Sequence, residues 1–275
     1  MKNHFYTSYA GNKRNEVINI YDEIDFDEID TIVEPYCGSC AVSYYIWTQN
    51  KDKDFKYVLN DKDVELITGL KAVASGEYAE IENKVNEYRE TVKDILDTDG
   101  FDKSKEYFKG IVSATGIANH IFKCKYYKLR AGMMPVGDAL KSFDKVFKFS
   151  DYPIFEFLQN ANIEFHNTNA NEIIEMYDNK TSFVFLDPPY LGSCNNFYKR
   201  SDSIDLEECY IHLINKGLKN YKSKIIICHE YSWLFKLLFN EYIDETKKYG
   251  KRYETNLGTK FKSKGHTYHI CIKNY

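Results

Sequence analysis

Short apolar runs alternate with longer stretches of helical period along this chain. Strand-length runs begin at Thr31 and fall at 55–61, 161–168, 182–186 and 224–230. Several of them are apolar almost throughout, as in Phe183-Val184-Phe185-Leu186 and Ile225-Ile226-Ile227-Cys228. A continuous apolar strand is buried on both faces, which is the signature of a parallel sheet covered by helices. Helical spacing predicts helices over 16–21, 64–74, 78–96, 108–122, 169–176, 204–218 and 231–239, with 97–100 a turn. Strands alternating with helices predict an α/β fold with a mostly parallel, Rossmann-like sheet. Near the end, 247–253 and 267–272 read as two antiparallel edge strands joined by a Gly- and Lys-rich loop, 255–266. The interval 66–150 breaks the alternation: it is helical only. The expected organisation is therefore one domain from 1–65 and 151–275, with 66–150 inserted.

Composition narrows the picture. The net charge is −4, so binding to nucleic acid would need a local basic face rather than a basic protein. Seven cysteines, an odd number at irregular spacing, argue against a full disulfide framework and for a reducing compartment. No signal-like apolar segment follows Met1, and no apolar run reaches the ~18 residues of a membrane span. A soluble, intracellular protein without membrane contact is expected.

The chemistry concentrates where strands end. The run 182–186 stops at Asp187-Pro188-Pro189-Tyr190, because proline removes the backbone donor that a central strand needs. Ligands of open α/β sheets bind at the carboxyl ends of strands. The Asp187 carboxylate and the Pro188 carbonyl there form an acceptor pair beside the Tyr190 ring. That set suits a flat molecule with an exocyclic amine: each acceptor takes one N–H, and the ring stacks.

The strand beginning at Thr31 leads into Glu34-Pro35-Tyr36-Cys37-Gly38-Ser39-Cys40 and then a helix. This is the strand–turn–helix of a nucleotide-binding half, with Gly38 allowing close backbone approach. The next strand ends in Asp61, about 20 residues on, where a carboxylate can receive ribose hydroxyls; capping the following helix is the competing role. Cys37 and Cys40 also have the spacing of a redox pair at a helix N-terminus. The stretch 123–137 carries four cations, no acid and interleaved aromatics, a composition suited to phosphates and bases but equally to an exposed basic face. His166 reads as a structural residue.

Asp-Pro-Pro-Tyr after an apolar strand resembles the catalytic motif of amino-methylating DNA methyltransferases. The other parts appear in the order of the Dam-type (D12 class, alpha-group) adenine-N6 enzymes. Tyr9-Ala10-Gly11-Asn12-Lys13 is similar to their aromatic-Ala-Gly-Gly-Lys segment. Residues 34–40 resemble Glu-Pro-Phe-x-Gly-x-Gly, and 129–137 resembles Leu-Arg-Gly…Val-Pro-Phe-Gly. The chain departs from the pattern at Cys40, where a second glycine is expected, and at His229, where Ser-Asn is common.

The resemblance implies a Rossmann-like S-adenosylmethionine-dependent methyltransferase sheet with 66–150 as a helical target-recognition insertion. It implies methylation of N6 of a flipped adenine in double-stranded DNA, with Asp187, Pro188 and Tyr190 catalytic. Cofactor contacts would come from Tyr9, Lys13, Glu34, Tyr36, Gly38, Asp61, Thr168 and Asp187. DNA contacts would come from Lys125, Lys128, Arg130, Lys199 and Arg200, the loop after Tyr190 closing over the base. The loop 255–266 is a further candidate for DNA contact. No metal is implied, and a cognate restriction endonuclease is an implied partner. N4-cytosine methylation, methylation of RNA or a protein amide, a DNA-binding relic without catalysis and a Cys37–Cys40 redox pair remain as other readings.

Overall fold

The computed structural model describes residues 4–6, 13–126, 143–191, 203–242, 247–257 and 261–275. The chain divides into two compact units: Met1–Arg14 with Asp63–Ala161, and Asn15–Lys62 with Asn162–Tyr275. The inserted interval thus runs from 63 to 161, slightly wider than 66–150, and residues 1–14 group with it.

The second unit is built on one seven-stranded sheet. Its strands are β1 (Thr31–Glu34), β2 (Lys56–Asn60), β3 (Asn162–His166), β4 (Ser182–Leu186), β5 (Lys224–Glu230), β6 (Lys247–Leu257) and β7 (Phe261–Lys273), in the order β3-β2-β1-β4-β5-β7-β6. The first five are parallel; β7 runs antiparallel between β5 and β6. This is the Rossmann-like architecture the alternating pattern predicts.

The apolar runs are central for the expected reason. Every residue of β1 and β4 is buried, and so are the inner five of β5. Val33, Val58, Val184, Leu186, Ile225 and Ile227 share one core with side chains of the later helices. The alternate positions Ile32, Tyr57, Phe183, Phe185 and Ile226 are buried too, so both faces are covered. Strand β3, at the end of the sheet, is only partly buried and carries an ion pair from Glu164 to Lys56.

Two expectations are corrected. The C-terminal strands are far longer than 247–253 and 267–272: they pair continuously from Lys247↔Cys271 to Leu257↔Phe261, so most of the predicted 255–266 loop lies within the ladder. Ladder hydrogen bonds satisfy any backbone, and the polar, glycine-containing side-chain pattern hid this pairing. Nor is β7 an edge. It pairs with β5 from Ile226↔Lys273 to Glu230↔His269, which puts His269 inside the sheet and fully buried.

The first unit is helical: α3 (Val64–Ser75), α4 (Ala79–Thr98), α5 (Phe101–Ser113), α6 (Ile117–Tyr126) and α7 (Ile154–Asn160), numbered after α1 (Val17–Tyr21) and α2 (Ala41–Gln49) of the sheet unit. The remaining helices of the sheet unit are α8 (Ala170–Met176), α9 (Ser203–Lys216) and α10 (Trp233–Leu238). The single helix expected over 108–122 is two, broken at Gly116, whose φ of 115° no helix accommodates. Phe108, Phe122, Tyr126 and Phe143 form the aromatic centre of this unit, with Tyr126 and Phe143 stacked at 4.7 Å. Among the described residues no helix is long and apolar enough to cross a membrane.

Candidate functional site

The strand order reverses direction between β1 and β4, and a doubly wound sheet opens a crevice at that point on its carboxyl side. The turns that leave β1 and β4 there are the two that the sequence singles out.

After β1 the chain makes a tight turn, closed by Cys40 N–H donating to the Cys37 carbonyl at 2.6 Å. Gly38 has φ 46° and Cys40 φ 52°, both left-handed. That conformation explains why glycine suits the Cys40 position: a Cβ costs about 1–2 kcal/mol there. Cys40 then starts α2 without a side-chain cap. Glu34, 2% exposed at the end of β1, supplies the missing acceptor: its Oε1 receives the Ser43 amide at 2.5 Å. Glu34 therefore clamps the start of α2. Tyr36 packs against the core beside Cys209, and burial drives its phenol well above the usual range.

Asp61 follows β2, half-exposed, and its Oδ2 receives the Gly38 amide at 3.1 Å. The carboxylate thus joins the β1 turn to the end of β2. The competing role of helix cap belongs to Asp63, whose Oδ1 receives the amides of Glu65 and Leu66 at 3.1 and 3.2 Å.

Asn60 was not anticipated. Its side chain, 1% exposed, donates to the carbonyls of Pro35 at 2.8 Å and Thr168 at 3.2 Å, and accepts the Thr168 amide at 2.9 Å. One amide thereby ties together the chain leaving β1, β2 and β3. An asparagine at the last position of an apolar strand was its only sequence signal. Thr168, so held, directs its hydroxyl to Glu172. His166 is engaged with Glu164 at 2.7 Å, in keeping with a structural role.

After β4, Asp187 and Tyr190 are half-exposed and Pro188 is buried. The turn is held from several sides. Tyr210 of α9 donates to the Pro189 carbonyl at 3.2 Å, and the Leu191 amide donates to His229 Nε2 at 2.8 Å. Since Nε2 accepts, the proton sits on Nδ1, which donates to the Glu230 carbonyl at 2.5 Å. His229 is thus a neutral imidazole, stacked on Phe235 at 4.3 Å and lying 4.9 Å from the Tyr190 ring. The off-pattern histidine braces the turn.

Glu34, Tyr36, Gly38, Asp61, Thr168, Asp187, Pro188 and Tyr190 all belong to the sheet unit. Lys13 and Lys125 belong to the helical unit. Lys13 is buried in a short 3-10 turn. The Lys125 ammonium hydrogen-bonds the Tyr152 hydroxyl and lies 5.1 Å from the Phe147 ring; burial lowers its pKa. Tyr9, Lys128, Arg130, Lys199 and Arg200 lie outside the described residues, as does the segment 192–200.

The redox reading loses its chemical basis here. A reactive pair needs a stabilised thiolate, yet Cys37 and Cys40 are buried, and burial pushes both thiols up, Cys37 the further. Both are expected to resist iodoacetamide in the native protein at about pH 8 and to react on denaturation. Rapid native labelling of either, located by mass spectrometry, would contradict this. In the helical unit, Asp63, Glu65 and His120 bring metal-capable atoms close together. They act as a tie between helices: Glu65 accepts the Gly116 amide at 2.9 Å with one oxygen and faces His120 Nδ1 at 3.1 Å with the other.

A Rossmann-like sheet extended by an antiparallel β7, a glycine turn after β1, an acid after β2 and Asp-Pro-Pro-Tyr after β4 are the parts that the resemblance to amino-methylating methyltransferases implies, in their expected order. The chain matches the D12 class N6 adenine-specific DNA methyltransferases over residues 9–255 and belongs to that family. It is also similar to the Type II methyltransferase M.CviBI of Paramecium bursaria Chlorella virus NC1A, with 25% identity over 277 residues that span 97% of this chain and 98% of that protein. The protein is accordingly an adenine-specific DNA methyltransferase, and the cytosine, RNA and protein-amide readings fall away.

Proposed function

We propose that the chain transfers a methyl group from S-adenosylmethionine to N6 of an adenine flipped out of double-stranded DNA. The observation that carries this is the pairing, at one topological switch point, of the Gly38–Asp61 turn with the Asp187–Tyr190 turn. The donors and acceptors present suit the cofactor. Asp61 offers acceptors for a ribose diol, and the Gly38–Cys40 turn brings bare backbone to the start of α2. Thr168 borders the same end of the sheet. When bound, S-adenosylmethionine supplies a methyl group on a sulfonium that needs no further activation.

The protein contributes position and electrostatics. An adenine inside a duplex is out of reach, so the base must leave the stack at a cost of a few kcal/mol. Tyr190 receives its face. The Asp187 carboxylate and the Pro188 carbonyl each accept one amino hydrogen, which turns the nitrogen lone pair toward the methyl group. One amino proton then leaves through Asp187 to water. We assign target recognition to the helical insertion. Lys125, Lys128, Arg130, Lys199 and Arg200 are the proposed DNA contacts, Tyr9 and Lys13 additional cofactor contacts, and a cognate endonuclease a proposed partner, in keeping with a Type II relative.

The test is incubation with unmethylated DNA and isotopically labelled S-adenosylmethionine, followed by nucleoside mass spectrometry. Labelled N6-methyladenine is expected; its absence would overturn the proposal, and cofactor-independent DNA binding would then favour a relic. Cys40 adds a second expectation. Cys40→Gly relieves the left-handed backbone but removes a buried side chain, so stability stays within about 1 kcal/mol. Cofactor affinity, measured by calorimetry, should rise as the turn opens.

A further inference from the structure

The structure points to an anchor for Tyr190 that lies outside the methyltransferase motifs. Tyr190 must present its ring in one orientation to receive a base, yet it follows two prolines in a half-exposed turn. Its hydroxyl lies 3.3 Å from His269 Nδ1, and its ring stands edge-on to the His269 ring at 5.3 Å. His269 is fully buried, at the position of β7 that pairs with Glu230 of β5. The same Nδ1 lies 3.0 Å from Glu16 Oε2, and Glu16 is itself 3% exposed.

The chemistry fixes the roles. A carboxylate only accepts, so a proton on His269 Nδ1 would face Glu16 Oε2 across the 3.0 Å between them. The Tyr190 hydroxyl lies within 3.3 Å of that same nitrogen. A carboxylate behind an imidazole locks its tautomer and ring plane, as it does for other histidines that hold a partner in place. Glu16, His269 and Tyr190 are distant in sequence, and all three belong to the sheet unit.

We propose that Glu16 and His269 are positioning residues, a buried pair that sets the orientation of the Tyr190 ring for base stacking. The inference rests on the adenine-flipping reading given above. It assigns a role in the site to the residue preceding α1 and to the inner C-terminal strand.

Kinetics on unmethylated DNA test it with four variants. Tyr190→Phe removes only the hydroxyl, and His269→Phe keeps a ring but no donor. Each should lower kcat about tenfold, the loss a slightly misplaced group causes, with KM for S-adenosylmethionine unchanged. The double variant should lose no more than either single one, because both remove one interaction. His269→Asn, which keeps a donor near the Nδ1 position, should retain most of kcat. Losses that multiply in the double variant, or a wild-type kcat in Tyr190→Phe, would overturn the proposal.

A second readout does not depend on turnover. Crystal structures should show the Tyr190 ring turned in His269→Phe and in place in His269→Asn. An unmoved ring in His269→Phe refutes the anchor. Wild-type protein that methylates no DNA refutes the function reading instead, and the ring orientation still decides the anchor. If His269→Phe does not fold, Glu16→Met, which removes the acceptor behind His269, takes its place in both measurements with the same expected outcomes.

Discussion

Replacing Asp187 with alanine lowers methyl transfer to DNA by about a thousandfold or more and leaves folding intact. The magnitude follows from what the carboxylate faces. In the proposed mechanism it is one of two acceptors for the amino hydrogens, and the nitrogen gains positive charge as the methyl group arrives. A preorganised group aimed at developing charge is typically worth about a hundred- to a thousandfold. The same mechanism sends the departing proton out through Asp187, so its removal should exceed the loss of a single donor or acceptor. Folding survives because the residue lies beyond β4, whose five buried side chains remain, and because the turn keeps its bonds from Tyr210 and His229. Single-turnover rates with labelled cofactor, beside thermal melts, check both halves. Turnover near that of the wild type would remove Asp187 from the mechanism; a collapsed melting transition would show that the carboxylate holds the fold.

The second large effect belongs to a residue that touches no substrate. Asn60→Asp is nearly isosteric, but it turns a donor toward the carbonyls of Pro35 and Thr168 into an acceptor. One buried and one partly buried carbonyl lose their donor and gain a carboxylate at the same place. An unsatisfied buried group costs about 1–3 kcal/mol, and a buried charge without a partner costs more. A loss of about 3 kcal/mol or more is expected at neutral pH from urea unfolding, together with weakened cofactor binding. The three segments joined by Asn60 carry Tyr36, Asp61 and Thr168, so loosening the tie spreads their separation. A stability change below about 1 kcal/mol would show that these loops hold their places without it.

The two turns of the candidate site were legible because they sit at strand ends. Proline stops β4 where a carboxylate must be presented, and Gly38 marks a turn whose φ is positive. Both are local constraints, written in consecutive residues. Asp61 could be read as ribose acceptor or helix cap from its position alone; the structure gives the cap to Asp63 and ties Asp61 to the Gly38 amide. Asn60, His229 and His269 were harder. Each is a single polar residue in an apolar or mixed strand, and its partners lie on other strands or loops. A one-dimensional pattern states that such a residue is unusual but not whom it meets.

The sequence by itself determined the alternating α/β class, the five parallel strands, the helical insertion and the two turns that meet at the switch point. It could do so because burial on two faces forces continuous apolar runs and because proline and glycine act within one or two residues. Tertiary structure decided the place of β7 between β5 and β6, the tie through Asn60, and the path from Glu16 through His269 to Tyr190. Those features depend on backbone pairing between strands and on buried polar groups finding partners far along the chain. Neither leaves a periodic trace in the sequence.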